Sequence, residues 1–335
     1  MSNGRRLMQR REAILARSQE RPPAILNQLD FLMGVDDVGR MGGFRFKRQP
    51  AGPFLADDKQ APTPPLTDLR KLEHAAYMFE EDPSERTDEW IKILLKPGSS
   101  LGGARPKSNV LDENKKLWIA KFPSPSDDHD VGAWEWIVSV MARSSGITVS
   151  ESKVLKLGHE HHTFLTQRFD RTPSGSRLCF CSGLTALGCM DGDSEEKSYL
   201  DLVGFIVRQS GDVTTQLKQL WRRIVFSILV SNSDDHLRNH GFIYNFDEGG
   251  WQLSPAFDMN PVPSSQSLTL NISERDNKLD LKLALEVAPF FRVPASEAKK
   301  MIEQTKKAVS QWKILAKKLK LKSSEIDLMA SVFDK

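Results

Sequence analysis

An α+β chain, mostly helical and divided into two subdomains, is what the sequence predicts, and three observations lead there. At 335 residues the chain outgrows a single core, since one hydrophobic core usually stops growing at roughly 250–300 residues. Apolar residues at 39%, charged residues at 27%, 17 Phe and 7 Trp make an ordinary globular composition, which excludes collagen-like and wholly disordered classes. Long segments with helical spacing alternate with short hairpins, the mark of a mixed rather than a single-type fold.

The elements follow in order. Residues 5–19, rich in Arg, read as a helix, and Ile25 to Met33 as a second that stops at Gly34. Gly42 and Gly43 introduce a strand over Phe44 to Lys47, and five prolines between Pro50 and Pro65 mark a connector. Thr67 and Asp68 can cap a helix to Phe79, with Leu69, Leu72, Ala75, Ala76 and Phe79 on its apolar stripe. Another helix spans Asp88 to Leu95. After the Ser/Gly turn at 98–103, strands are expected at Ser108–Leu111 and Leu117–Phe122, joined by a turn at Asp112–Lys115. A helix over Val131–Arg143 precedes strands at Lys153–Lys156 and Thr163–Phe169. Helices return at Tyr199–Arg208 and Thr214–Leu229, the second carrying Leu217, Leu220, Trp221, Ile224, Val225 and Ile228 on one stripe. Asn232 to Asn239 is a polar loop, Gly241–Tyr244 and Trp251–Leu253 form a hairpin, and the tail from Ala295 reads as two helices. The chain therefore divides at 1–97, 98–197 and 198–335.

Several function classes drop out. The richest apolar run, Ile224 to Val230, follows Arg222 and Arg223 directly and is far short of the ~20 residues that cross a bilayer. The basic N-terminus lacks the apolar block and cleavage site of a signal peptide, so the expected location is the cytoplasm. Cys179, Cys181 and Cys189 are too few for a disulfide framework and wrongly spaced for a zinc knuckle. A net charge of +3 from 47 basic and 44 acidic residues leaves no electrostatic footprint for strong direct nucleic-acid binding. His159-Glu160-His161-His162 has metal-binding composition, but adjacent side chains point in alternating directions and converge poorly on one ion. Asp127-Asp128-His129-Asp130 suits a helix N-terminus.

The chemistry concentrates after the second long helix, in Ser233-Asp234-Asp235-His236-Leu237-Arg238-Asn239, followed by a hairpin and Pro255-Ala256-Phe257-Asp258. Protein kinases place a catalytic Asp five residues before a magnesium-binding Asn, with a second magnesium-binding Asp beyond a hairpin. Asp234, Asn239 and Asp258 have that order, although the same residues could simply cap loop amides. Upstream, Gly102-Gly103-Ala104 precedes a hairpin ending Trp118-Ile119-Ala120-Lys121, as a phosphate-covering loop precedes a kinase lysine. Glu135, 14 residues on in the next helix, could orient Lys121. Neither G-x-x-x-x-G-K-[ST] nor G-x-G-x-x-G occurs.

These motifs, with GVDDVGRMGGFRF (34–46), SSLGGARPK (99–107), WIAKFP (118–123), QRFDR (167–171), NSDDHLRN (232–239) and LSPAFD (253–258), make the chain resemble the HipA-like serine/threonine kinases, toxins of HipBA and HipBST toxin–antitoxin systems. The resemblance implies a protein-kinase-like fold with the nucleotide site between two lobes, and an ATP- and Mg2+-dependent kinase. It makes Asp234 the catalytic base and Asn239 and Asp258 the metal ligands. Gly102, Gly103, Ala104, Arg105, Pro106 and Lys107 become the ATP-covering loop, with Lys121 on the phosphates. Gln167, Arg168 and Phe169 become the segment whose backbone meets adenine, with Gln167 where the family often has Glu, and His236 joins the ATP-binding set. Ser100, or its neighbour Ser99, is the implied autophosphorylation site. The implied partners are a HipB-type helix-turn-helix antitoxin, which brings DNA only indirectly, an aminoacyl-tRNA synthetase as acceptor, and a small HipS-like chain in place of the strand-rich domain that opens full-length HipA kinases. Such a chain would cover apolar groups between residues 24 and 47, among them Phe31, Leu32, Phe44 and Phe46. Two rival readings are a non-catalytic, antitoxin-binding pseudokinase and a metal-dependent phosphohydrolase using Asp235 and His236.

Overall fold

A computed structural model describes residues 3–55, 63–81, 93–94, 103, 105–190 and 192–334. The expected helix at Asp88–Leu95 falls almost wholly outside these residues, as do Ser99, Ser100, Gly102 and Ala104. The chain forms two compact units, one of residues 1–132 and 152–177, the other of residues 133–151 and 178–335.

The first unit packs helices on one antiparallel sheet. Helices α1 (Asn3–Ser18), α2 (Gln28–Gly34) and α3 (Leu69–Glu81) accompany strands β1 (Lys107–Leu111), β2 (Leu117–Lys121), β3 (Ser152–Leu155) and β4 (Thr163–Gln167), ordered β1-β2-β4-β3. Helix-period residues of α3, Leu72, Ala75, Ala76 and Phe79, meet Val110, Trp118, Ala120 and Leu165 from the sheet, and Leu7 of α1 joins them. Glu73, wholly buried on the same helix, accepts hydrogen bonds from the Gly158 and His159 amides and from the Thr163 hydroxyl, tying α3 to the turn before β4.

Three expectations are corrected here. Residues 44–47 are not a strand: among the described residues Lys47 forms only an isolated bridge with Phe54, and a single bridge does not make a ladder. The second helix begins at Gln28 rather than Ile25, where Asn27 and Asp30 form a reciprocal capping box. Thr67 and Asp68 sit inside a 3-10 turn (Leu66–Asp68) that feeds α3 instead of capping it.

The second unit is built around one central helix. Its elements are α4 (Val131–Ser144, all but the first two residues), β5 (Phe180–Ser182), α5 (Gly183–Ala186), α6 (Tyr199–Gln209), α7 (Val213–Val230), β6 (Gly241–Asn245), β7 (Gly250–Leu253), α8 (Leu281–Val287), α9 (Ala295–Val309), α10 (Trp312–Lys318) and α11 (Ser323–Phe333). Every stripe residue of α7 named from the sequence is buried, each worth about 1.5–3 kcal/mol when fully removed from water. Leu217, Trp221 and Ile224 pack with α6, α8 and α9, while Phe226 and Val230 face a second cluster built on Trp134, Trp312 and Phe333. The C-terminal tail holds three helices rather than two. Lys320, at φ 57°, breaks the lysine-rich run that reads as continuous in sequence. No helix among the described residues is long and apolar enough to cross a membrane.

Candidate active site

The polar loop that follows α7 lies in the second unit. Ser231 ends the helix in a left-handed conformation (φ 48°), and the chain then crosses residues 232–240 into β6. Neighbouring side chains in this loop have opposite fates. Asp234 is 74% exposed, whereas Asp235 is 5% exposed. Asn239 is half-buried and donates from Nδ2 to the Asp234 carbonyl at 2.8 Å, which closes the loop across the five-residue spacing. His236 Nε2 stands 3.7 Å from Asp234 Oδ1.

Asp258 reaches the same place by the hairpin. β6 and β7 pair antiparallel with Phe242 opposite Leu253, and the Ser254 amide donates to the Gly241 carbonyl at 2.8 Å. Both ends of the hairpin therefore abut the loop. The Asn260 amide donates to Asn232 Oδ1 at 2.9 Å and the Val262 amide to the Ser231 carbonyl at 3.0 Å, fastening the segment after Asp258 to the segment before Asp234. Asp258 itself has φ 57°, a backbone state costly for a non-glycine residue and held here by these flanking bonds. Buried Arg223 of α7 donates to the Ser254 carbonyl at 2.5 Å, and burial pushes its guanidinium down to about 10.

Asp234, His236 and Asn239 thus share one loop, and the segment that follows Asp258 is fastened to the start of that loop. The donor set is hard: carboxylate oxygens of Asp258 and the amide oxygen of Asn239, whose nitrogen is the atom spent within the loop. Among the described residues no group of three or more His, Cys, Asp or Glu could hold a metal by itself. A magnesium ion fits this pair only if phosphate oxygens and water supply its remaining ligands, the usual manner for that ion at phosphoryl-transfer sites.

In the first unit the expected phosphate groups are also neighbours. Lys107 and Lys121 face each other across the β1–β2 ladder, and both have other partners in the protein. Gly103 has φ 78°, and a Cβ there would stand 2.7 Å from Lys107 Nζ, so the glycine leaves room for the amine. Lys121 is buried, its Nζ 5.7 Å from the Phe164 ring centre. Arg105 is committed elsewhere, with two hydrogen bonds to the Asp127 carboxylate (2.6 and 2.7 Å) and one to the Phe122 carbonyl, while the Pro106 carbonyl accepts from the Phe122 amide. Gln167 pairs with Trp118, three residues along β2 from Lys121, about 10 Å of strand.

Arg168 commits both its amide and its side chain within the first unit. Its amide donates to the Leu117 carbonyl, and its guanidinium is buried on Asp170, Asn109 Oδ1 and the Gly39 carbonyl. Asp170 also binds Arg171 and the Gly42 amide, and Arg171 and Arg177 reach carbonyls of residues 37–42. Sequence reasoning missed this cluster, which clamps the 34–43 segment. Burial alone would raise the Asp170 pKa, but Arg168, Arg171 and the Gly42 amide outweigh it and hold the carboxyl below its ordinary value. Burial pushes Arg171 down to about 10.

Sequence reasoning also missed the support beneath the loop. The Gly183 amide donates to the His240 carbonyl at 2.7 Å, and a Cβ on Gly183 would lie 2.8 Å from the Leu237 carbonyl oxygen. The cue was the Ser182–Gly183 pair at a helix start, but β6, the strand that pairs with β5, lies some sixty residues further on. His159, from the metal-like run, stacks on Tyr77 at 4.0 Å, and His162 pairs with Asp130 at 2.5 Å.

Residues 99–312 match the family model of the HipA-like C-terminal domain. Among relatives, the "Putative kinase Y4dM" of Sinorhizobium fredii is 26% identical over 265 residues, covering 70% of this chain and 64% of that protein. A "Putative kinase" of Haemophilus influenzae is 26% identical over 202 residues, covering 54% of this chain and 58% of its own length. The chain thus spans about three-fifths of the length of these curated relatives. A solved Shewanella oneidensis MR-1 complex of the toxin–antitoxin system HipA, HipB and operator DNA superposes with a TM-score of 0.62 at 17% identity, covering 84% of this chain and 72% of that one. The α+β architecture is accordingly that of HipA. With the family model extending over well more than half of the sequence, the chain belongs to the HipA-like C-terminal domain family.

Proposed function

We propose that the chain is a magnesium- and ATP-dependent serine/threonine protein kinase and the toxin of a type II toxin–antitoxin system. The observation that carries this reading is the loop of the second unit, where Asp234 exposes its carboxylate while Asn239 bonds its main-chain carbonyl, and where the segment following Asp258 is fastened to the start of the loop. Magnesium, when bound, offsets phosphate charge; Asn239 and Asp258 are the residues to hold it. Asp234 accepts the proton of the acceptor hydroxyl as its oxygen bonds the γ-phosphorus and the bond to the ADP oxygen breaks. Lys121, with Lys107 opposite it, serves the phosphates, and the end of β4 at Gln167 to Phe169 serves adenine through backbone groups. The three-residue spacing between Gln167 and Lys121 along the sheet suits the length of a nucleotide. Arg105 and Arg168 act by holding structure, since their guanidinium groups are spent on Asp127 and Asp170.

The same reading assigns growth inhibition to phosphorylation of a translation component, an aminoacyl-tRNA synthetase, in the cytoplasm. Autophosphorylation at Ser100 or Ser99 would add about −1.5 to −2 charges and disfavour ATP. A HipB-type antitoxin supplies the contact with DNA, and a HipS-like chain covers the N-terminal apolar groups. Leu32 and Phe44 are exposed, whereas Phe31 and Phe46 are half-buried under Arg5 and Arg40. The test is induction of the wild type and Asp234→Gln in cells lacking any antitoxin. Growth arrest by the wild type alone, with a newly phosphorylated protein, is expected; arrest by both variants contradicts the kinase reading.

A further inference from the structure

Asp235 and His240 lie next to the two residues assigned to the chemistry, one after Asp234 and one after Asn239, and both are buried beneath the loop. A buried carboxylate loses most of its hydration, so its surroundings must compensate. Here the Tyr199 hydroxyl donates to Asp235 Oδ2, Ser227 Oγ stands 3.4 Å from the same oxygen, and His240 Nε2 stands 2.8 Å from Oδ1. The imidazole contact is close but not aligned as a hydrogen bond. Tyr199 is itself wholly buried at the first turn of α6, behind the Ser198 cap, with its ring edge-on to His240 at 5.4 Å.

We propose that Asp235 and His240, held by Tyr199, form a buried staple that positions Asp234 and Asn239 for phosphoryl transfer. The inference rests on the kinase reading above. The staple closes the same five-residue span as the Asn239–Asp234 carbonyl bond, one residue later. With Asp235 held inward, its chain neighbour Asp234 stands exposed to solvent. Stability is a weak reason to keep such a pair, because buried polar and charged groups often only break even against apolar replacements. Geometry is a better one. Asp235 and His240 are positioning residues and touch no reacting atom.

Tyr199→Phe removes one hydrogen bond to Asp235 while still filling the core, and Asp235→Asn keeps the acceptor shape without the charge. Purified wild type, Asp234→Ala, Tyr199→Phe and Asp235→Asn are compared for thermal midpoint, kcat, KM for ATP and the magnesium concentration at half-maximal rate. For folded Tyr199→Phe, kcat is expected to fall about tenfold or more, the range seen when an outer group that orients a ligand is lost. Its magnesium requirement should rise while KM for ATP at saturating magnesium stays near wild type, a split that mere loosening of the fold would not produce. If the wild type transfers phosphate and Asp234→Ala does not, yet folded Tyr199→Phe and Asp235→Asn match wild type in kcat and magnesium dependence, the staple is overturned and the kinase reading stands. If the wild type transfers none, both fall together.

Discussion

Asp234 and Asp235 are chain neighbours with opposite environments, and their substitutions should separate accordingly. Asp234 is mostly solvated and packs against no core group, so Asp234→Ala should leave the thermal midpoint nearly unchanged. Asp258 carries charge at a position fastened by bonds on both sides of it, and Asp258→Asn would keep the shape while removing the charge a divalent cation needs. Calorimetry should show ATP binding in magnesium weakened for Asp258→Asn and for Asn239→Ala, with binding in chelator little affected. Unchanged affinity for both would mean that these residues only cap loop amides. Asp170 makes a different prediction, one of stability. Its folded pKa lies below the unfolded value of 3.8, so its contribution is present above that value and is lost as pH falls through the folded pKa. Asp170→Asn leaves Arg168 and Arg171 without their counter-ion and should cost about 3–5 kcal/mol at neutral pH in urea unfolding. The wild type should lose that advantage below the ordinary carboxylate range, whereas the variant has none to lose.

At the scale of elements, the short β5–α5 unit is the support on which the loop rests. Gly183→Ala places a Cβ against the Leu237 carbonyl, and overpacking of this kind costs about 1–3 kcal/mol. Its kcat should fall more than that of Thr185→Ala, two residues along the same helix; equal rates would show that α5 does not support the loop. This unit was illegible in the sequence because residues 180–186 show no period and their partner, β6, is remote. The α7 stripe was legible, since six apolar residues at helical spacing admit one reading. The β1–β2 hairpin was legible from its turn at Asp112, whose carboxylate accepts the Asn114 and Lys116 amides. Charge was the poorest guide. Arg168, Asp170 and Asp235 carry the residue types of exposed positions, and their burial is made tolerable in part by partners distant in sequence, Asn109 and Gly39 for Arg168, Gly42 for Asp170 and Tyr199 for Asp235. Of the site, the spacing of Asp234, Asn239 and Asp258 could be read, while Tyr199, Ser227, Gly183 and His240 beneath it could not.

For the whole molecule, the N-terminal surface of the first unit carries an unusual apolar load. Ile25 is 97% and Phe44 76% exposed, with Leu29 and Leu32 also exposed. Surfaces of this kind mark interaction sites or invite aggregation. Ile25→Ser with Phe44→Ser should therefore raise solubility of the isolated chain and abolish copurification of the HipS-like chain proposed above when the two are coexpressed; a HipS-like chain that still copurifies binds elsewhere. The proposed function requires one chemical event, movement of the γ-phosphate under control of Asp234. The most direct measurement is transfer of labelled γ-phosphate from ATP to protein by the purified chain, with magnesium and with chelator, for wild type and Asp234→Gln. We expect magnesium-dependent incorporation by the wild type and a loss on the order of 100-fold or more in the folded variant. Equal incorporation by a folded Asp234→Gln protein, or none by the wild type in magnesium, would contradict the account.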